Sequence, residues 1–414
     1  LTPSLALPVA VDPRSSKIKT VFVQYAVLPR LAGRSFLPLA FLARLPISMT
    51  QIGTVVLVST TFGSIAAGGV AAGFLAAGSA FGGPAIGHLA DRFGQRTIML
   101  TASLLNAMAT LGLVALVLSH SPMALVYGVA MISGASTPQI GPMVRARWVR
   151  MTGGGPQLGY AMSYEGAADE TAFVLGPAAV SLMTALASPA LAMVTAAVLV
   201  GVFGSLVALH PTATAPAHRP TNNTGAIWRN PRVLALVLGS MAIGCFFGGM
   251  QTGVTGMATA AGVAGAAGGI YAIMGIGSAL TGLSCAALPP RFALHHRLVM
   301  FAAALAVLSI PLLLINGVPA MIAVMVPLGC AVGPYVITLF SMAEREVSAH
   351  QAAGVMTLLS SGLVVGYAVG STIGGRLADS ASPAAAFAVS AAAMVIGTLI
   401  AGTLRPARSV RCLG

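Results

Sequence analysis

The sequence predicts an all-α polytopic membrane protein of twelve transmembrane helices, arranged as two pseudo-symmetric six-helix halves. Three observations predict it. The 414 residues are 57% hydrophobic and only 7% charged, with a mean hydropathy of +0.92, whereas about a quarter of a soluble protein is charged. Apolar runs near the roughly 20 residues that a bilayer-spanning helix needs recur along the chain, separated by short connectors. Finally, the cations fall almost entirely on alternate connectors.

In order, the first six spans are expected near 35–58, 64–86, 97–119, 122–144, 157–187 and 189–209. The next segment, HPTATAPAHRPTNNTGAIWRNPR (210–232), is rich in Pro, Thr and Asn and reads as a linker. Six more spans are expected near 233–255, 263–288, 297–315, 318–341, 351–375 and 383–404. The domains are therefore an N-terminal tail (1–34), a six-helix bundle (35–209), the linker (210–232), a second bundle (233–404) and a C-terminal tail (405–414). The 49 glycines suit close helix approach in lipid, where small residues let backbones touch.

With both termini in the cytoplasm, nineteen of the 21 Lys and Arg lie on the inner side. Arg376 alone lies outside and Arg44 falls within span 1. The positive-inside rule then sets this orientation in the cytoplasmic membrane. Trp148 and Trp228 land at inner helix ends, where indole rings favour the interface. LTPSLALPVAVDP at the N-terminus lacks the preceding basic residues of a signal peptide and reads as part of a cytoplasmic tail.

The net charge of +13 is scattered between apolar runs, which argues against nucleic acid as a partner. The four cysteines show no metal-ligand spacing, so no metal site is expected. No GxxxxGK[ST] loop is present, which disfavours ATP-driven transport. A membrane-embedded enzyme would need a polar catalytic cluster at the interface, and a sensor would usually carry a soluble domain. Neither is evident.

Sliding 157–190 onto 351–384 matches Gln157 with Gln351, Gly176 with Gly370, and Ser188-Pro189-Ala190 with Ser382-Pro383-Ala384. The offset places span 5 on span 11, as a duplication of six helices requires. Parallel repeats of this kind characterise transporters that rock one half against the other.

Between spans 2 and 3 lies GHLADRFGQR, residues 87–96. It resembles the signature loop of the major facilitator superfamily, G-x-L-a-D-R-x-G-r-[RK], in Gly87, Leu89, Ala90, Asp91, Arg92, Gly94 and Arg96. Gln95 stands where a basic residue is commoner. By this motif, and by the six-plus-six layout, the chain is identified as resembling a bacterial, actinobacterial-type member of that superfamily. FLARLPISM (41–49), GASTPQIGPMVRARW (134–148) and DETAFVLGP (169–177) extend the likeness. The resemblance implies the superfamily fold, and a loop that latches the two halves during transport. The matching loop of the second half, ALPPRFALHHR (287–297), is degenerate.

Span 5 resembles in part the superfamily's antiporter motif, through Gly176 and Pro177. Ala172 replaces an upstream Gly, Val180-Ser181 replaces the final Gly pair, and residues 122–144 lack the motif's distant Arg.

Three of the chain's eight acids, Glu165, Asp169 and Glu170, lie in span 5. Intramembrane charges are costly and normally face a bundle interior or a cavity. At the repeat offset these acids correspond to Leu359, Leu363 and Val364, so a helix in this position folds without carboxylates. Arg44 in span 1 is a reasonable partner for Glu165 or Asp169. Either this is a static ion pair, or one acid carries a proton as the cavity alternates, and Asp169 is favoured. One Arg cannot neutralise three acids. Gln139, Gln251 and Tyr335 lie on helices that line the cavity in the resembling fold. They are candidates for substrate contact, although residues of this kind more often make interhelical hydrogen bonds.

The expected function is secondary active transport of a small molecule by alternating access, as proton-coupled export of the drug or metabolite efflux type. The alternative is a proton-coupled uptake symporter or a facilitator. The proton gradient supplies the energy, no cofactor is needed, and the chain is expected to act as a monomer in the lipid bilayer.

Overall fold

The computed structural model describes residues 27–153, 157–213, 230–284, 292–315, 317–346 and 352–404. The side chains of Asp91 and Glu170, both singled out above, lie outside the described residues, as do Trp228 and most of the linker and tails. Every long element among the described residues is a helix.

A one-turn helix, Leu28–Ala32, precedes α1, which is built of Phe36–Leu42 and Leu45–Phe62. There follow α2 (Ile65–Phe93), α3 (Gln95–Leu118), α4 (Met123–Ala135 and Ile140–Thr152), α5 (Gln157–Leu186) and α6 (Pro189–Leu209). After the linker come α7 (Pro231–Ala260) and α8 (Ala264–Ala266 continuing into Ala267–Ser284). The last four are α9 (Leu294–Leu313), α10 (Val318–Arg345), α11 (Ala352–Ser380) and α12 (Pro383–Thr403).

Ten of these are long and apolar enough to cross a membrane. The other two, α4 and α5, are helical but fall short. Residues 136–139, around Pro138, interrupt α4 and leave two 13-residue pieces. In α5 the acids lower the apolarity of a 30-residue helix.

Local chemistry sets the boundaries. Ser188 and Ser382 cap α6 and α12 with the same extended backbone (φ −165° and −163°), accepting from Leu191 N and Ala385 N. The sequence repeat is thus also a repeat of capping geometry, each Ser followed by a Pro suited to the first helical turn.

Two helices extend beyond the hydropathy signal. Gly87–Phe93, expected in a loop, is the last part of α2. Only Gly94, at φ 89°, separates it from α3. A single left-handed glycine turns the chain there without steric cost. Likewise Arg145, Arg147, Trp148 and Arg150, expected in a connector, lie on the second piece of α4. That piece buries Ile140, Met143, Val144, Arg147 and Trp148, a stripe of 3.6-residue period that carries polar residues inward.

Helices α2 and α4 lie backbone to backbone. A Cβ on Gly134 would stand 1.8 Å from Leu75 O, one on Gly78 2.1 Å from Met131 O, and one on Gly82 2.0 Å from Ala135 O. Between the halves, α2 meets α11 where a Gly69 Cβ would stand 2.3 Å from Ser371 O. In the same way α5 meets α8, with Gly268 against Pro177 O at 2.1 Å. Since α2 and α8 begin where α5 and α11 end, both contacts lie at one end of the bundle. The arginines of α4 lie at the other.

Gly134→Ala therefore forces the α2–α4 pair apart and is expected to cost about 1–3 kcal/mol. Gly128→Ala, on the same helix with nothing within 4 Å of its Cβ, should leave stability unchanged or slightly raised. Thermal unfolding of the detergent-solubilised protein distinguishes them.

A buried charge cluster as the candidate functional site

Pro46 lacks an N–H, and its ring crowds the carbonyl four residues back. Around it the chain tightens, with Arg44 N bonding Phe41 O and Ile47 N bonding Arg44 O, so that α1 is interrupted at Ala43–Arg44. Arg44 sits in this interruption, 2% exposed.

Its guanidinium meets two acids of α5 that are four residues apart and so share a face. Nη2 donates to Glu165 Oε2, and Nε lies 3.1 Å from Asp169 Oδ1. Glu165 is wholly buried and also accepts from Trp148 Nε1 at 2.9 Å. Asp169 is 30% exposed, and its second oxygen accepts from Arg145 Nη2. Arg145 is itself 37% exposed. Among the described residues the cluster therefore holds two cations and two carboxylates, tying α1, α4 and α5 together. Arg44 Nη1 is buried and has no hydrogen-bond partner among them.

Arg44, expected to partner Glu165 or Asp169, meets both, and Arg145 is a second cation on Asp169. Trp148, expected at the interface, is buried and serves as a donor to Glu165. The apolar run of α4 ends at residue 144 and so stops short of both residues. The signal that could have found them is the buried stripe from Ile140 to Trp148, which puts Arg145 and Trp148 three residues apart on one face.

Arg147, on the same piece of α4, is fully buried but faces elsewhere. It donates from Nε to Gln95 Oε1 at 2.9 Å and from Nη1 to Val207 O at 2.9 Å. Gln95 is the position of the signature segment where a basic residue is commoner. Here a cation would confront Arg147, and the neutral amide accepts from it instead.

Of the other signature residues, Ala90 is buried, while Leu89, Arg92 and Arg96 are exposed. The Arg92 guanidinium lies over the neighbouring Phe93 ring at 5.1 Å. Gly176 is packing space: a Cβ there would stand 2.0 Å from Ser48 Oγ, which donates to Ala172 O. Pro177 faces α8.

The remaining candidates are not brought to the cluster. Gln139 donates to Thr137 O within the interruption of α4 and packs on Gly83. Tyr335, fully buried, donates to Gly239 O at 3.1 Å and ties α10 to α7. Gln251, 2% exposed, accepts from Tyr367 OH of α11.

Removing one member of a buried ion pair strands the other and costs about 3–5 kcal/mol, whereas an apolar pair of similar size is often tolerated. Glu165→Leu is expected to destabilise by that amount, and Arg44→Leu/Glu165→Leu to recover most of it, because Asp169 keeps Arg145. Additive losses in thermal unfolding would contradict the pairing.

The Major Facilitator Superfamily profile matches residues 36–360 of the chain. No match was found among curated proteins. Among solved structures, the chain is similar to the nucleoside transporter NupG. A point mutant of NupG aligns with a TM-score of 0.71 at 16% identity, over 88% of this chain and 98% of that one. NupG itself aligns at 0.70 and 16% identity, over 89% and 96%. With that profile spanning most of its length and that fold, the chain belongs to the major facilitator superfamily of multi-pass membrane transporters.

Proposed function

We propose that the chain is a secondary active transporter that carries a small, neutral, polar solute across the cytoplasmic membrane by alternating access, with Asp169 as the proton-coupling group. The observation that carries this reading is the unequal setting of the two acids. Glu165 is sealed between Arg44 and Trp148, while Asp169 is partly exposed and shared by Arg44 and Arg145.

A proton that binds Asp169 turns a carboxylate into a neutral acid and releases Arg145, loosening the tie between α4 and α5. Glu165 keeps its bonds to Arg44 and Trp148, so α1 and α5 remain joined. Protonation thus loosens the contacts of Asp169 with Arg145 and with Arg44, and spares the Arg44–Glu165 pair. Among the described residues the cluster passes from neutral to a net charge of +1, an imbalance that a partly dry site disfavours until substrate or movement relieves it.

The charge asymmetry of the sequence supports placing the arginine-rich end in the cytoplasm. The halves touch at the opposite end, which fits a form open to the cytoplasm.

Import coupled to proton entry is the direction we favour over export. The likeness to a nucleoside transporter points to a polar, hydrogen-bonding solute rather than an apolar drug. The residues that depart from the antiporter motif add nothing in favour of export: Ser181, in place of a glycine, is engaged with α8. The Gln251–Tyr367 pair supplies neutral hydrogen-bonding groups of the kind such a solute would need.

Reconstitution in liposomes with an imposed pH gradient, using nucleosides as the first solutes, tests this reading. The wild type should accumulate solute in the direction of proton flow. Asp169→Asn should lose accumulation by about tenfold or more, as expected for a group whose charge change drives the step, yet retain solute exchange at equal pH. Undiminished accumulation by Asp169→Asn would reject the assignment, and movement against proton flow would restore export.

A further inference from the structure

Two contacts close the bundle at the end opposite the arginines of α4, and they are built alike. Near the C-terminal end of α11, Asp379 sets its carboxylate on the first turn of α2 in the other half. Oδ1 accepts from Ile65 N at 2.8 Å, and Oδ2 accepts from Ala66 N at 2.9 Å and from the Ser64 hydroxyl at 2.5 Å. Ser64 Oγ in turn accepts from Ala67 N at 3.1 Å. Near the C-terminal end of α5, Ser181 accepts from Gly269 N at 2.7 Å and donates to Gly265 O at 2.5 Å, in the first turns of α8.

The repeat that superposes α5 on α11 also pairs α2 with α8. Each half therefore inserts a side-chain oxygen into the start of the other half's second helix. At the start of α2 the N–H groups of Ile65 and Ala66 precede the first intrahelical bond, and that helix end carries partial positive charge. In α8, Ser181 bridges Gly265 O and Gly269 N, four residues apart. Around these bonds the surfaces meet through glycine backbone, which offers contact but few directional ties. The directional bonds must break whenever this end opens.

We infer that Asp379 and Ser181 form a paired lock that holds this end shut, with Asp379 the stronger member. Asp379 binds three donors through a charged group and sits on the positive end of α2, whereas Ser181 contributes two neutral bonds. Its role in transport rests on the alternating-access reading, but its existence does not.

Amide hydrogen exchange read by mass spectrometry on the full chain in lipid nanodiscs tests the lock without any solute. The two contacts share no residue, so only a joint opening can couple them. Asp379→Ala should speed exchange by about tenfold or more at residues 65–67, and also at residues 267–270 across the bundle, as for loss of hydrogen bonds to a charged group. Ser181→Ala should act in the reverse sense, with a smaller change at both places, because coupling between two sites is reciprocal.

Should Asp379→Ala unfold the protein, exchange would rise throughout α1 and α5 as well. Asp379→Asn, which keeps the volume and loses the charge, then carries the measurement together with Ser181→Ala. Changes confined to the contact that was mutated would overturn the lock. Coupled exchange in a protein that moves no solute in liposomes would retain the lock and reject the transport reading.

Discussion

Arg44 is almost completely removed from water, and the arginine-rich end of the first six helices is organised around neutralising it. A lone cation in such a place would be untenable. The tightened chain at Pro46 delivers the guanidinium to α5, where Glu165 and Asp169 share one face. Trp148 completes the shell of Glu165, and Arg145 supplies a second positive charge to Asp169. Three helices that lipid gives no hydrophobic reason to associate are thereby tied through directional bonds.

The other half shows that this arrangement is not required by the architecture. Leu359, the counterpart of Glu165 in the repeat, is fully buried. Ser240 of α7 donates to its backbone carbonyl at 2.5 Å. Both halves tie these helices with a neutral serine-to-carbonyl bond, Ser48 to Ala172 O in one and Ser240 to Leu359 O in the other, and the first half adds the charge cluster. The cluster is an addition to a frame that stands without it, which is the physical argument for a role beyond holding helices together. The shared frame is visible in detail, down to the matched caps of Ser188 and Ser382.

Much of the fold was legible because hydropathy, proline and serine caps act locally. The repeat and the signature segment were legible for the same reason. Glu165, Asp169 and Arg44 stood out because charges are rare in so apolar a chain. What escaped was α4. Hydropathy ends where Arg145 begins, yet the helix resumes after Pro138 and runs on with its apolar stripe intact. A period of 3.6 survives polar residues that an average over a window does not. The partner of Gln95 was illegible for a different reason: a buried Arg147 shows itself only once α3, α4 and α6 are packed together. The inter-half bonds of Asp379 join residues more than 300 positions apart, and no local pattern could announce them.

The central claim is that Asp169, and not Glu165, gains and loses a proton. Infrared difference spectroscopy of the protein in lipid, recorded between alkaline and acidic conditions, reads this directly through the carbonyl stretch of a protonated carboxyl group. The account predicts a band in the wild type that persists in Glu165→Gln and vanishes in Asp169→Asn. A band that survives in Asp169→Asn and is lost in Glu165→Gln would contradict it.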